Sequence, residues 1–313
     1  MKSGINYFIF YLFCFLGISC NHLSHHRNEV KYHAGLNLRA KDRFYFNIVS
    51  SLQSIAEVDD KKHESGRTVE ICLIYEVLHE TVDSIAIKVT YDKLHVMMKN
   101  DGIDKDIIAK PSGEEADPMD KFFGSLLGGS VIVYLDHKGD VLQVTGYDDI
   151  SDKILASLNL KEGSVRNNIR QQMNKMVGGE FVRNTIQQSF KIFPDKAIAV
   201  DDNWTSQGSP SDELGVGMNT TFTLNSLKNN IARIGIKSVL NDKKDGDSIN
   251  VLGYQALASL DGGQKGHFDV DTVTGMLMSG ESTLSLEGKI QMMGREIPVK
   301  ITSEKKMEGK KIN

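Results

Sequence analysis

The stretch VEICLIYEV, residues 69–77, places an apolar side chain at every second position. Val69, Ile71 and Leu73 would lie on one face of a strand, because successive side chains of a strand point to opposite faces of its sheet. The segments 44–48 (FYFNI) and 85–91 (IAIKVTY) alternate in the same way. Polar, turn-forming residues separate these segments, so the region is predicted to be an antiparallel meander.

A hairpin is predicted in VIVYLDHKGDVL, residues 131–142, because the run from Asp136 to Gly139 suits a reversal that needs a positive φ. Just before it, Asp117 and Pro118 are a helix cap and a first-turn proline, and two glycines at 128–129 end the apolar run that follows them. A short helix is therefore expected ahead of the hairpin.

Two pairs of segments indicate an internal repeat. Residues 40–44 (AKDRF) resemble 200–204 (VDDNW), and residues 134–142 (YLDHKGDVL) resemble 268–277 (FDVDTVTGML). The first member of each pair lies in one run of predicted strands and the second member in another. The chain is therefore interpreted as two meander halves that arose by duplication and then diverged.

Between the two halves the apolar period lengthens to that of a helix, which predicts two or three amphipathic helices. A long sheet with one apolar face must cover that face, and these helices are the available cover. The sequence therefore predicts an α+β protein, mostly antiparallel β: a curved meander sheet or half-open barrel packed on two or three central helices. A closed barrel with the helices outside is the main alternative. The predicted boundaries are 1–19 for a signal peptide, 20–35 for a flexible tether, 36–148 for the first β-meander half, 149–194 for the helical segment, 195–304 for the second half and 305–313 for a polar tail.

The N-terminus has the features of an export signal. Lys2 precedes an apolar run over residues 7–18, which is shorter than the roughly 20 residues of a transmembrane helix. The run ends in LGISC, residues 16–20, which resembles the lipobox of bacterial lipoproteins and predicts lipid attachment, for example of palmitate, at Cys20. Ordinary cleavage, giving a soluble periplasmic or secreted protein, is the alternative. Asn21, in place of an aspartate, favours the outer membrane.

Composition and cysteine use narrow the function classes. The chain has 37 Lys and Arg against 41 Asp and Glu, a net charge of −4, and no basic block, so nucleic acid is not an expected partner. Cys14 would leave with the signal and Cys20 would carry lipid, which leaves Cys72 without a disulfide partner. Cys72 lies in an apolar strand and is interpreted as a small buried hydrophobe rather than a nucleophile.

Several short motifs together resemble one family. They are LNLRAKDRF at 36–44, the hairpin from Asp136 to Gly139, Pro194 followed by VDDNW at 200–204, and FDVDTVTG at 268–275. With the lipobox cysteine they resemble an uncharacterised family of Bacteroidota-type lipoproteins, the domain of unknown function 6263. The likeness covers most of the chain after the signal.

The sequence departs from the family pattern at two positions. The pattern Gly-Asp-x-Trp has a glycine before the aspartate, whereas Lys41 and Asp201 stand there in this chain. The resemblance implies an exported envelope protein. It implies no activity and no functional residues.

Known catalytic motifs are absent from the sequence. It contains no Gly-x-Ser-x-Gly elbow, no His-Glu-x-x-His zinc motif and no Gly-x-x-x-x-Gly-Lys-Ser/Thr loop. No catalytic residue, cofactor or metal site is expected, and the chain is predicted not to be an enzyme. A hydrolase with an unrecognised site, suggested only by the polar loop 206–217, is the weakest alternative.

The leading hypothesis is therefore a cell-envelope lipoprotein that encloses an apolar groove for a hydrophobic ligand or a partner segment. The alternative is a scaffold or assembly factor that recognises protein partners at the outer membrane. The proposed groove residues are large apolar side chains of the predicted helices: Phe122, Phe123, Met173, Met176, Phe181 and Phe190.

Overall fold

The computed structural model describes most of the chain after residue 30. The described residues are 31–111, 116–159, 163–177, 183, 186, 190, 192–194, 196–208, 216–242, 248–251, 254–292 and 294–313. The predicted signal peptide, the lipid-bearing Cys20 and most of the predicted tether lie outside them.

The described residues form three α-helices and thirteen β-strands. The helices are α1 (Pro118–Leu126), α2 (Tyr147–Ser157) and α3 (Ser164–Val177). The strands of the first half are β1 (Arg43–Val58), β2 (Lys61–Glu80), β3 (Ile85–Asn100), β4 (Ile103–Ile108), β5 (Ser130–Leu135) and β6 (Val141–Thr145). The remaining strands are β7 (Asn203–Gly208), β8 (Val216–Lys228), β9 (Ile231–Asp242), β10 (Ser248–Val251), β11 (Tyr254–Asp271), β12 (Leu277–Met292) and β13 (Arg295–Ile312).

All thirteen strands belong to one antiparallel sheet, which confirms the predicted mostly antiparallel β architecture. The strand order is β6-β5-β3-β2-β1-β13-β12-β11-β9-β8-β7, with β4 beside β3 and β10 beside β11. Within the described residues β6 and β7 each have one paired neighbour, so the sheet is open. No described helix has the length and apolar content needed to span a bilayer.

The C-terminal strand corrects a predicted boundary. Residues 305–312, predicted to be a polar tail, continue β13 and pair with β1, from Lys305 opposite Ser50 to Ile312 opposite Arg43. High charge had suggested a solvated end, but alternation places Glu304 and the other charged side chains of even number on one face of the strand. The start of the fold also lies earlier than predicted, since Tyr32 is buried and pairs with Ile198.

The predicted caps of the first helix are confirmed. The Asp117 carboxylate accepts a hydrogen bond from the backbone N–H of Met119 at 2.8 Å, and Pro118 occupies the first turn. Gly128 follows the helix with φ 71°, a conformation that favours glycine.

Buried side chains of the helices and of the first-half strands form one cluster. Ile150, Ile154 and Leu155 of α2 are buried in it together with Phe44 of β1 and Leu135 of β5. A second cluster lies in the other half and is built around Leu224, Ile234 and Val270, with Tyr32, Ile192 and Ile198 from the connecting segments. Most of the third predicted helix, around residues 181–190, lies outside the described residues.

The two turns that precede β1 and β7 have the same hydrogen-bonding geometry. The Asp42 carboxylate accepts from the backbone N–H of Arg39 at 3.0 Å, and the Asp202 carboxylate accepts from Ala199 at 2.9 Å. Lys41 and Asp201 have φ 74° and 75°. Glycine is usual at such angles because it has no Cβ, so both residues hold a backbone conformation that is unfavourable for their type.

Candidate functional site

The sheet has one face on which Phe44, Tyr75 and Ile234 are buried. We call it the core face and its opposite the outer face. Side chains alternate along each strand, and the strand registers are known. All remaining strand positions can therefore be assigned to one of these two faces.

The six predicted groove residues do not form one described site. Phe122 and Phe123 lie on α1, are half-buried and pack against the first cluster, with ring centroids 5.1 Å apart. Phe190 is only 4% exposed, and its ring lies 6.4 Å from that of Tyr75, so it is a core residue. Met173 and Met176 lie on α3, but the described part of the structure does not include their side chains. Phe181 lies outside the described residues.

Apolar side chains in the middle of the core face remain partly exposed. Leu52 of β1, Val69 and Ile71 of β2 and Met98 of β3 are all half-buried. Val69, Ile71 and Met98 pack against the first cluster from its margin. The described helices therefore leave this central part of the core face accessible.

Three cations lie within the same part of the core face. Arg67 of β2 is in register with Leu52 and with Met98, and Lys105 of β4 is in register with Met98 on its other side. Lys305 of β13 is in register with Ser50 of β1 and Ser282 of β12. All three side chains are exposed.

The register fixes the approximate spacing of these cations. Neighbouring strands lie about 4.8 Å apart, so Arg67 is roughly 10 Å from Lys105 across β3. Lys305 is two strands away from Arg67 in the opposite direction and one core-face position further along. The three cations together span roughly 20 Å, and Arg67 lies near the middle, so the side chains of Lys105 and Lys305 can extend toward it from both sides.

Charge is segregated between the two faces. From Ile48 to Ser54 of β1, and at every described core-face position in register with them, the sheet carries no carboxylate. Neighbouring carboxylates, such as Glu70 and Glu304, have the opposite parity and lie on the outer face. Within the described part of the chain, Arg67, Lys105 and Lys305 form no ion pair. Outer-face Arg233, by contrast, donates two hydrogen bonds to Asp269 at 2.7 and 2.8 Å.

Lys305 has the most unusual environment of the three. Its side chain reaches solvent, yet surrounding protein removes enough water from the ammonium group to lower the pKa of Lys305 below its ordinary value. Uncharged polar groups continue from this position into the second half, where the buried hydroxyls of Thr220 and Ser238 are hydrogen bonded at 2.9 Å. The middle of the core face thus carries cationic and uncharged polar side chains beside its half-buried apolar ones.

Sequence reasoning missed all three cations. Lys305 lies in the predicted tail, and Lys105 lies in β4, IDKDII, for which the sequence pattern predicts no strand. Arg67 precedes Val69 by two residues, so the alternation of the strand places it on the same face as the apolar side chains. This position could therefore have been predicted from the sequence.

A separate open depression of 450 Å³ lies at the tips of the β1–β2 and β12–β13 hairpins. Arg295 within it donates to both carboxylate oxygens of Asp59, at 3.0 and 3.2 Å. Because these charges are paired and the lining is mostly polar, the depression is a poor site for an apolar ligand. In the described part of the chain, His, Cys, Asp and Glu side chains form no group of three that could hold a metal ion.

His137 connects the segment before β1 to two turns. Its Nε2 lies 2.9 Å from the carbonyl oxygen of Thr81, and its Nδ1 lies 3.1 Å from that of Leu36. Both partners can only accept, so both ring nitrogens can donate only in the imidazolium form. These carbonyls raise the pKa of His137 above its ordinary value, and nearby Asp136 adds to the effect.

Stability is expected to depend on the charge of His137. Because the pKa of His137 is higher in the folded state, protonation of this residue stabilises the fold. The stabilisation is complete at pH values below the unfolded-state pKa of about 6.5 and is lost as pH rises through the folded-state pKa. His137→Gln should therefore flatten the decline in the urea midpoint between pH 6 and pH 8. His33→Gln, at an exposed histidine, is the control and should keep the decline. An unchanged pH profile in His137→Gln would contradict the assignment.

Comparison with known proteins identifies a family. The model of the family of unknown function DUF6263 matches residues 83–277, from the turn between β2 and β3 to the start of β12. The chain belongs to this family. The resemblance to domain of unknown function 6263 is thereby confirmed, whereas the lipoprotein type stays a prediction. The matched region includes the helices and parts of both halves.

Other comparisons add no functional information about this DUF6263 protein. No curated protein sequence matches it. An outer membrane channel, COG4313 from Pseudomonas putida F1, is 6% identical over 88% of this chain and 97% of its own, with a TM-score of 0.24. DynF from the dynemicin biosynthesis pathway of Micromonospora chersina is 5% identical over 90% of this chain and 84% of its own, with a TM-score of 0.20.

Proposed function

We propose that this chain is an exported, lipid-anchored cell-envelope protein that binds a hydrophobic ligand on the core face of its sheet. The observation that supports this proposal most directly is the half-buried apolar surface of Leu52, Val69, Ile71 and Met98. An apolar sheet face is ordinarily covered by another layer. A ligand that covers this surface would gain about 25 cal/mol for each Å² removed from water.

Export and anchoring are supported by the sequence alone. The apolar run over residues 7–18 and the LGISC segment at 16–20 favour cleavage before Cys20 and acylation there. The intact mass of full-length protein expressed in a Gram-negative host and purified from membranes tests this. An unmodified Cys20 would remove the anchored form of the proposal and leave a soluble exported protein.

The same proposal includes a half-open barrel in which the helices fill one half. Buried side chains of α2 share a cluster with β1 and β5, which supports this arrangement. It also includes a duplication, because β1-β2-β3-β5-β6 and β7-β8-β9-β11-β12 have the same order of neighbours. The equivalent turns at Asp42 and Asp202 support the duplication as well.

Binding of Nile red, an uncharged apolar dye, tests the proposed function. The suitable protein is the mature chain with Cys20→Ser, which lacks the lipid and therefore needs no detergent. Met98→Gln should weaken dye binding about tenfold, since it removes roughly 1–2 kcal/mol of apolar burial. Met97→Gln is the matched control, because Met97 is the next residue and lies 40% exposed on the outer face.

Equal dye affinity in the two variants would contradict the assignment of the ligand site to the core face. Acylated protein that binds no dye and releases no lipid on extraction would instead favour the scaffold that recognises protein partners.

A further inference from the structure

The central core face combines two properties that bear on the kind of ligand it would bind. It has a partly exposed apolar surface around Leu52 and Met98, and it has three exposed cations without a described carboxylate partner, Arg67, Lys105 and Lys305. Long cationic side chains can lie along apolar surface while their charged groups stay in water, where an anion can reach them. Three such cations with no described carboxylate on the same part of the face are therefore a candidate anion site.

The chemistry of the three side chains selects the charge of the occupant. Arginine presents a planar fork that matches phosphate oxygens, and lysine adds a point charge from the side. Surrounding protein lowers the pKa of Lys305 by removing water from its ammonium group, and a bound anion would offset this effect by favouring the charged form. Repulsion among the three cations also falls when an anion lies between them.

Geometry places the apolar part of the occupant beside the charged part. Val69 lies two residues from Arg67 on the same face of β2, and Met98 lies between Arg67 and Lys105 in register. Arg67 lies between the other two cations, each about 10 Å away across two strands, so a headgroup above Arg67 lies between all three while its chain lies on Leu52, Val69 and Met98.

We propose that the ligand is an anionic amphiphile, a lipid whose phosphate headgroup binds Arg67, Lys105 and Lys305 and whose acyl chain lies on Leu52, Val69 and Met98. This inference rests on the proposed function, because it specifies the class of hydrophobic ligand. It assigns binding roles to three cationic residues, whereas the family description assigns no function to any residue.

The test compares two amphiphiles that share one tail. Dodecyl phosphate and dodecylphosphocholine are titrated below their micelle concentrations into mature Cys20→Ser chain, and each displaces Nile red. Dodecyl phosphate should bind at least ten times more tightly, and the difference should shrink with added salt, since exposed charges are screened. The triple variant Arg67→Gln, Lys105→Gln, Lys305→Gln should lose the preference and still bind Nile red.

A matched variant removes the same charge from the outer face. Lys237, Lys265 and Lys306 have the opposite strand parity, and their replacement by glutamine should keep the preference. If the core-face triple variant does not fold, Lys305→Gln alone should reduce the preference several-fold. Circular dichroism of each variant distinguishes unfolding from loss of binding.

The outcomes separate the two proposals. Nile red binding without a headgroup preference would overturn the anionic-lipid inference and leave the hydrophobic-ligand function standing. Absence of binding by Nile red and by both amphiphiles would overturn both. Displacement of dodecyl phosphate by inorganic phosphate at similar concentration would show a site for the free anion and would also overturn the lipid inference.

Discussion

Replacing Ile154 with alanine is expected to lower the free energy of unfolding by about 2–5 kcal/mol. The Ile154 side chain of α2 is 0% exposed and belongs to the buried cluster that includes Phe44 and Leu135 of the sheet. Deleting its outer carbons removes apolar contacts and leaves a cavity that the surrounding sheet can fill only in part. Urea denaturation of the mature Cys20→Ser chain, followed by circular dichroism, measures the change.

Val82→Ala is the control for this prediction. Val82 is 92% exposed in the turn between β2 and β3, so its truncation should change the free energy of unfolding by less than about 0.5 kcal/mol. If Ile154→Ala were no more destabilising than Val82→Ala, α2 would not be part of the cooperative core, and the proposed packing of the helices on the sheet would fail.

Gly275→Ala is expected to destabilise the protein by about 3 kcal/mol or more. Gly275 has φ 75°, where an L-residue costs about 1–2 kcal/mol. A Cβ at this position would lie 2.0 Å from the carbonyl oxygen of Gly35, so the segment that leads into β1 would have to move. The backbone hydrogen bond from Asn37 to Thr274, 2.9 Å long, would be strained by the same movement.

Gly294→Ala separates the cost of the backbone conformation from the cost of the steric clash. Gly294 has φ 76°, almost the same as Gly275, but a Cβ there meets nothing within 4 Å. Its replacement should therefore cost only the backbone strain of about 1–2 kcal/mol. Two equal shifts in the urea midpoint would mean that the Gly35 segment does not pack on the turn in solution.

Local sequence signals predicted those elements that depend on neighbouring residues. Asp117, Pro118 and Gly128 determined the ends of α1, because capping is decided within one helical turn. The strand patterns at 69–77 and 85–91 identified the buried face of β2 and β3 correctly, since alternation is a property of each strand by itself.

Predictions failed where a partner distant in sequence decides the structure. The charge of residues 305–312 predicts a tail, but β1 supplies them with a pairing edge from the other end of the sequence. Phe190, one of the predicted groove residues, is a core residue because its ring packs against Tyr75, which is distant in sequence. Arg67, Lys105 and Lys305 lie on three different strands, so only the strand order shows that they are neighbours.

The sequence by itself determined the antiparallel β class, the family and the face that each alternating strand buries, because these follow from the order of apolar and polar residues along short segments. The tertiary structure decided the position of β13 between β1 and β12, and with it the arrangement of the three cations on the core face. The physical reason is that strand pairing is made by backbone hydrogen bonds, which nearly every residue can form. The choice among possible partners therefore depends on the packing of the whole sheet rather than on any local pattern.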